Sequence, residues 1–270
     1  MKKREVFIVI LLITFGILYN LYEKGEVEFF FFDECSINPK RLSDKKHSLP
    51  FPVDEYRYTD AKSIEIENPA GEIIVKKAED NTASVRPVIR VYHKDKKHAE
   101  GIRGKIKILA EEDNGKIEFK VKPSGKFPYK RVRVEFELQV PENVELKLYN
   151  SYGKIDVSGT GKNLSLDNRY GDIKVKDVAA KVNIHTRHGR VMLSNISDEI
   201  DLYCQNGTVS IKDAAALKLN ASHSEVSITG IENETDIVHA PYSNIEVVDS
   251  SKVRIEGRQT KIRLKNIRNG

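Results

Sequence analysis

From Leu146 onward the apolar residues of this chain return at a fixed interval. Gly153, Gly171, Gly189 and Gly207 stand 18 residues apart, and Ser224, Ser243 and Thr260 continue the series at spacings of 17, 19 and 17. Two residues after each anchor come Ile155, Ile173, Val191, Val209, Val226, Ile245 and Ile262, and four after come Val157, Val175, Leu193, Ile211, Ile228, Val247 and Leu264. Five before stand Leu148, Leu166, Ile184, Leu202, Leu219, Val238 and Ile255. Seven before stand Leu146, Leu164, Val182, Ile200, Leu217, Asp236 and Val253. Only Asp236 breaks a column, and Ile237 beside it points to a local bulge. Each unit thus reads as two short strands of period 2 joined by a turn at the anchor. A column of small residues three before the anchor (Asn150, Asn168, Thr186, Cys204, Ala221, Ala240, Gly257) predicts a tight inward corner. Seven after the anchor, Val178, Ile196, Ala214, Ile231 and Ile267 predict a third inward position, with Thr160 and Ser250 as exceptions. No such unit buries its own face alone. Stacked units bury a continuous core, which predicts an all-β, parallel β-solenoid of seven coils over residues 143–270, about 18 residues per coil.

An earlier stretch, SIEIENPAGEIIVKKA, fits the same template with Gly71 as anchor and Ile64, Ile66, Asn68, Ile73, Val75 and Ala78 in the matching columns. Between Asp80 and Pro141 the pattern changes to longer alternating segments, VRPVIRVY, KIEFKVK and YKRVRVEFELQV. Turn signals stand at Asp113-Asn114-Gly115 and Pro123-Ser124-Gly125. Residues 61–142 are therefore expected to hold a first coil plus an antiparallel strand insert that caps it, with a short helix in KDKKHAEGIRGK. Residues 23–60 read as a stalk. Asn38–Pro52 is polar and basic with three Pro, and Phe29–Phe32 either lies at a membrane interface or docks as an edge strand.

The N-terminus changes the picture. Residues 6–22 carry no charge and are just long enough for a membrane-spanning helix. Lys2, Lys3 and Arg4 precede them, so residues 1–5 are expected in the cytoplasm and the C-terminal domain outside. A cleaved signal peptide is the competing reading, but FGILYNLYEKG offers no small-residue cleavage site. Together these features predict a single-pass cell-membrane protein with a signal-anchor.

The anchor, the first G-x-I-x-V unit, the strand-and-helix insert and the repeated L-x-L-x-N-x-x-G-x-I-x-V units resemble the bacterial putative-adhesin, β-strand-repeat family of unknown function. The resemblance covers roughly residues 60–270. It implies a membrane-anchored, cell-envelope-associated β-solenoid, with some relatives encoded beside envelope-stress systems. It says little about function, because the shape alone underlies the word adhesin.

Composition narrows the chemistry. The chain is 39% hydrophobic and 31% charged, with net charge +5 and two Cys, which argues against a disulfide scaffold. Acids and bases are interspersed, so no nucleic-acid partner is expected. The outward columns one and three after the anchor alternate in sign, as a solvated sheet face does. They show no carboxylate pair for a glycan-active enzyme. Paired Φ-x-Φ aliphatics differ from the single aliphatic per six residues of left-handed hexapeptide acyltransferases. His185 and His188 form an H-x-x-H with no third ligand in sight, so no metal is expected. Cys204 falls in the inward column and reads as a buried thiol. No P-loop, dinucleotide fingerprint or nucleophile constellation is present, and no cofactor is expected.

Two surfaces remain as candidates. Tyr152, Tyr170, His188, His223 and Tyr242 share the column before the anchor, with Asn206 among them; they form either a structural ladder or a ligand strip. The last coil, Lys252–Gly270, holds seven basic residues against Glu256, with Arg254, Arg258, Lys261, Arg263, Lys265 and Arg268 as the candidate basic patch. Such charge blunts an open edge, or attracts an anionic cell-wall polymer, a headgroup or an envelope protein. The sequence reading is therefore a non-enzymatic envelope module acting through a rigid face, with self-association through the solenoid ends open to it. An intracellular polymerising scaffold and a polysaccharide-active enzyme are the alternatives.

Overall fold

A computed structural model describes residues 47–268 of the chain. The span expected at residues 6–22, together with Phe29–Phe32 and Cys35, lies outside the described residues. Among the described residues no helix is long and apolar enough to cross a membrane. In chain order the strands are β1 (Ser48–Pro52), β2 (Tyr56–Tyr58), β3 (Ser63–Asn68), β4 (Ile73–Lys77) and β5 (Ala83–Tyr92). Helix α1 (Lys96–Arg103) follows, then β6 (Ile106–Asp113), β7 (Lys116–Pro123), β8 (Val132–Val140), β9 (Glu145–Tyr152) and β10 (Ile155–Ser158). The series ends with β11 (Leu164–Tyr170), β12 (Ile173–Val178), β13 (Val182–Gln205), β14 (Gly207–Ser222), β15 (Glu225–His239), β16 (Asn244–Val248), β17 (Val253–Ile255) and β18 (Lys261–Lys265).

The repeat folds as its spacing requires. Parallel pairing sets each residue beside its own column in the next coil: Leu164 lies between Leu146 and Val182, and Ile173 between Ile155 and Val191. About seven turns of roughly 18 residues stack in this way. The Φ-x-Φ columns form one continuous core as far as Ile245 and Val247, and the two exceptions, Thr160 and Ser250, are buried as well, whereas Ile262 and Leu264 of the last coil are exposed. One column is corrected. Leu217 pairs with Thr235, Leu219 with Ile237 and Asn220 with His239, so Val238 is bulged out and exposed. Ile237, not Val238, fills the core, and Thr235, eight before the anchor, takes the inward place in the column that Asp236 breaks. A bulge inserts one residue without breaking the ladder, which absorbs the 19-residue spacing at this coil.

The insert is only partly antiparallel. β5 pairs antiparallel with β8, and β6 with β7 through the Asn114-Gly115 hairpin, in which both residues have positive φ. Yet β7 and β8 also pair parallel with β3 and β4, with Ile64 beside Ile117 and Ile73 beside Phe136. The insert thus supplies a further coil stacked on the Gly71 coil. On the other side of that coil the chain resumes at β9 and β10. Residues 48–58, which the sequence reading assigns to the stalk, carry β1 and β2, both antiparallel to β5. Leu49, Phe51, Tyr56 and Tyr58 pack on the core, and Pro50 and Pro52 are tolerated because β1 is an edge strand. The expected helix is α1, capped by Asp95, whose side chain accepts from the His98 amide at 2.7 Å.

Candidate functional site

Two turn geometries run down the edge that carries the candidate strip. At Gly71, Gly153, Gly171 and Gly189 the anchor itself has φ of 140°, 128°, 142° and 141°. Below Gly189 the turn changes. The residue before the anchor takes the left-handed conformation instead, at Asn206, His223, Tyr242 and Gln259. Each half satisfies its corner differently. In the upper half the inward Asn column donates across coils, Asn150 Nδ2 to the Gly71 carbonyl at 3.0 Å and Asn168 Nδ2 to the Gly153 carbonyl at 2.9 Å. In the lower half hydroxyls take over. Ser243 Oγ donates toward the Ala221 and Pro241 carbonyls and accepts from the Ser224 amide at 3.2 Å. These bonds offset the strain of left-handed His223 and Tyr242.

The parallel register brings most of the candidate strip together. Tyr152 and Tyr170 stack at 5.0 Å with an interplanar angle of 8°, and Tyr170 and His188 at 5.0 Å and 2°. Tyr129, which the sequence reading missed, extends the stack edge-on to Tyr152. His223 and Tyr242 form a second pair at 5.0 Å, and Asn206 separates the two groups. Rings stacked at the coil spacing cover one another's faces. The upper group therefore offers a ligand ring edges and hydroxyls. Tyr242 is 52% exposed, and His188 and His223 are exposed as well.

A different outward face carries a groove that sequence reasoning did not pick out. Its residues stand four and two before the anchors: Tyr149, Asp167, His185 and Tyr203 in one column, Ser151, Arg169 and Arg187 in the other. Glu65 and Glu67 extend it toward the Gly71 coil, and the open space is about 850 Å³. Tyr149 and Tyr203, 39% and 38% exposed, stand three coils apart, about 14 Å by the strand spacing. The Arg169 guanidinium carbon lies 5.4 Å from the Tyr170 ring centroid, a cation–π contact at the rim of the groove. His185 leans on Tyr203 at 5.8 Å. The signal was available in the sequence as two aromatic and charged outward columns beside the Asn column.

The remaining candidates separate. His188 stacks in the edge ladder while His185 lines the groove. Among the described residues no group of three His, Cys, Asp or Glu side chains converges for a metal. Cys204 is fully buried and accepts a weak bond from Ser224 Oγ at 3.8 Å; burial pushes its thiol up, so it stays protonated and unreactive. On the outward face Lys154 pairs with Asp156 of its own coil at 2.6 Å, and the Arg190 amide bonds the Asp172 carboxylate at 3.0 Å. The basic patch lies on the last coil. Arg254 pairs with Glu256, Lys265 with Glu246 at 3.0 Å and Arg263 with Glu246 at 3.8 Å. Arg258, Lys261 and Arg268 bond the neighbouring coil through their backbones.

Comparison with known proteins agrees with this architecture. Residues 61–266 match the Toastrack family, DUF4097, and the chain belongs to that family. A crystal structure of a putative adhesin from Bacteroides fragilis superposes with a TM-score of 0.54 at 14% identity, covering 82% of this chain and 97% of that one. A putative lipid binding protein from Parabacteroides distasonis is similar at a TM-score of 0.41 and 12% identity, covering 84% of this chain and 98% of that one. No curated protein matches the chain.

Proposed function

We propose that this member of the Toastrack family is a non-enzymatic, membrane-anchored module of the cell envelope that binds linear cell-wall polymers or partner proteins along a rigid solenoid face. The observation that carries the reading is the groove between Tyr149 and Tyr203. Its wall is built on paired strands, so its side chains are held at fixed coil spacing. Its three carboxylates, from Glu65, Glu67 and Asp167, offset Arg169 and Arg187, and its two Tyr side chains are partly exposed at its ends. Such a surface suits a hydroxyl- and amide-bearing polymer laid along the coil axis better than a polyanion. The name adhesin attached to the Bacteroides fragilis protein points the same way.

Double substitution Tyr149→Ala/Tyr203→Ala is expected to weaken retention of the described domain on purified cell-wall glycan by about tenfold, since each ring contributes about 0.5–1.5 kcal/mol. Unchanged retention would remove the groove from the reading. The location half of the proposal places residues 1–5 in the cytoplasm, residues 6–22 across the membrane and the solenoid outside. Protease added to intact cells is then expected to remove a C-terminal tag. A tag protected until lysis, even after the wall is digested, would favour the intracellular scaffold instead.

A further inference from the structure

The solenoid is closed and open at different ends. Where the insert stacks, β5 covers β8 and β6 covers β7. At the other end nothing among the described residues covers the last coil. β18 pairs with β16 on one side, Asn244 beside Lys261 through Val248 beside Lys265, and pairs with no strand on the other. The consequence is visible in the core columns. Ile245 and Val247 are 3% and 0% exposed, whereas Ile262 and Leu264, the same columns one coil on, are each 48% exposed.

We infer that this edge is a docking site for an extended acidic polypeptide strand of a partner protein, which adds one further parallel rung to the solenoid. The register of β18 dictates the occupant's pattern. A strand beside β18 sets its own inward residues over Ile262 and Leu264 and its outward residues beside Lys261, Arg263 and Lys265. The first pair must be apolar and the second set acidic, because opposite charges side by side stabilise a ladder and like charges destabilise it. The occupant is therefore an acid–apolar–acid–apolar–acid stretch of five residues. Its backbone satisfies the free N–H and C=O groups of β18, the mode of strand addition. A phosphate-rich polymer or lipid headgroup meets the lysines and arginines but leaves the two aliphatics and the strand edge in water. A second copy of the same edge meets basic residues with basic residues.

The test uses the full chain and a fluorescent peptide, Gly-Glu-Ile-Glu-Val-Glu-Gly, with a Lys-for-Glu peptide, poly-glutamate and anionic vesicles as comparison probes. The acidic alternating peptide is expected to bind at least about tenfold more tightly than poly-glutamate. The triple reversal Lys261→Glu/Arg263→Glu/Lys265→Glu is expected to lose that peptide and gain the Lys-for-Glu one, an exchange that misfolding cannot produce. Tyr149→Ala/Tyr203→Ala should leave peptide binding unchanged, which separates this site from the groove. Equal binding of poly-glutamate or vesicles would overturn the strand in favour of a charge-only surface. Dimers that form without peptide and are abolished by Ile262→Lys would overturn it in favour of a second copy.

Discussion

Gly171→Ala is expected to destabilise the domain by about 2–6 kcal/mol, measured by denaturant unfolding. Two costs add. The φ of 142° lies in a region that residues with a Cβ rarely enter, which costs about 1–3 kcal/mol. A Cβ built there would also lie 2.1 Å from the Gly153 carbonyl oxygen, which is backbone of the next coil and cannot rotate away. Relief requires these two coils to separate, so the Gly153 amide bond to the Tyr170 carbonyl, 2.8 Å long, stretches too. Overpacking of this kind adds about 1–3 kcal/mol. Gly207→Ala is expected to cost less, since Gly207 is not among the positive-φ residues, although its Cβ would still meet the Gly189 oxygen at 2.7 Å. Gly101→Ala provides the baseline. It sits in α1 with nothing within 4 Å of its Cβ, and alanine there should raise stability by about 0.5–1 kcal/mol. If Gly171→Ala unfolded within 1 kcal/mol of the parent, close nesting of the turns would not explain the glycine column.

The columns that the sequence displays are those where one residue type does one job. The Φ-x-Φ positions and the Gly column recur because each coil meets the same neighbour at the same spacing. Other features escape because period 2 is blind to them. Alternation in KIEFKVK and VRVEFELQV fits either strand direction, so it could not reveal that β7 and β8 pair parallel with β3 and β4. It could not choose between Ile237 and Val238 either, since a bulge moves the pattern by one residue. A further corner is marked by no single residue type. Gly159, Asp177, Asn195, Asp213, Gly230, Asp249 and Asn266 all have positive φ six residues after their anchors. Gly, Asp and Asn share tolerance of the left-handed conformation rather than chemistry, so the column is legible only to a reader sorting by backbone. The groove's two columns were visible beside the Asn column, but only the bend at that corner turns two outward columns into a concave surface.

Asn168→Asp is expected to produce the second large loss, and one that depends on pH. Asn168 is fully buried, and its Nδ2 donates to the Gly153 carbonyl while its Oδ1 has no partner. An ionised carboxylate there would face a carbonyl oxygen with no donor to receive, so burial and repulsion both favour the protonated acid. The protonated form can still donate to Gly153 and keeps the bond that the amide makes. A folded-state rise of about three units for the new carboxyl corresponds to about 4 kcal/mol at neutral pH. Below about pH 4 the group is protonated in both states and the deficit relative to the parent is small. As pH rises the unfolded chain releases its proton first, so the deficit grows from about pH 4 and levels off near pH 7, above the raised folded value. Asn168→Ala separates charge from bond loss. It leaves the Gly153 carbonyl without that donor and opens a small void, a deficit of about 1–3 kcal/mol that stays flat with pH. Unfolding curves of both variants against the parent from pH 3 to 8 decide the matter. Parallel curves for the two variants would mean that the corner admits water, and the Asn column would then be a packing feature rather than the dry hydrogen-bonded spine that holds adjacent coils in register.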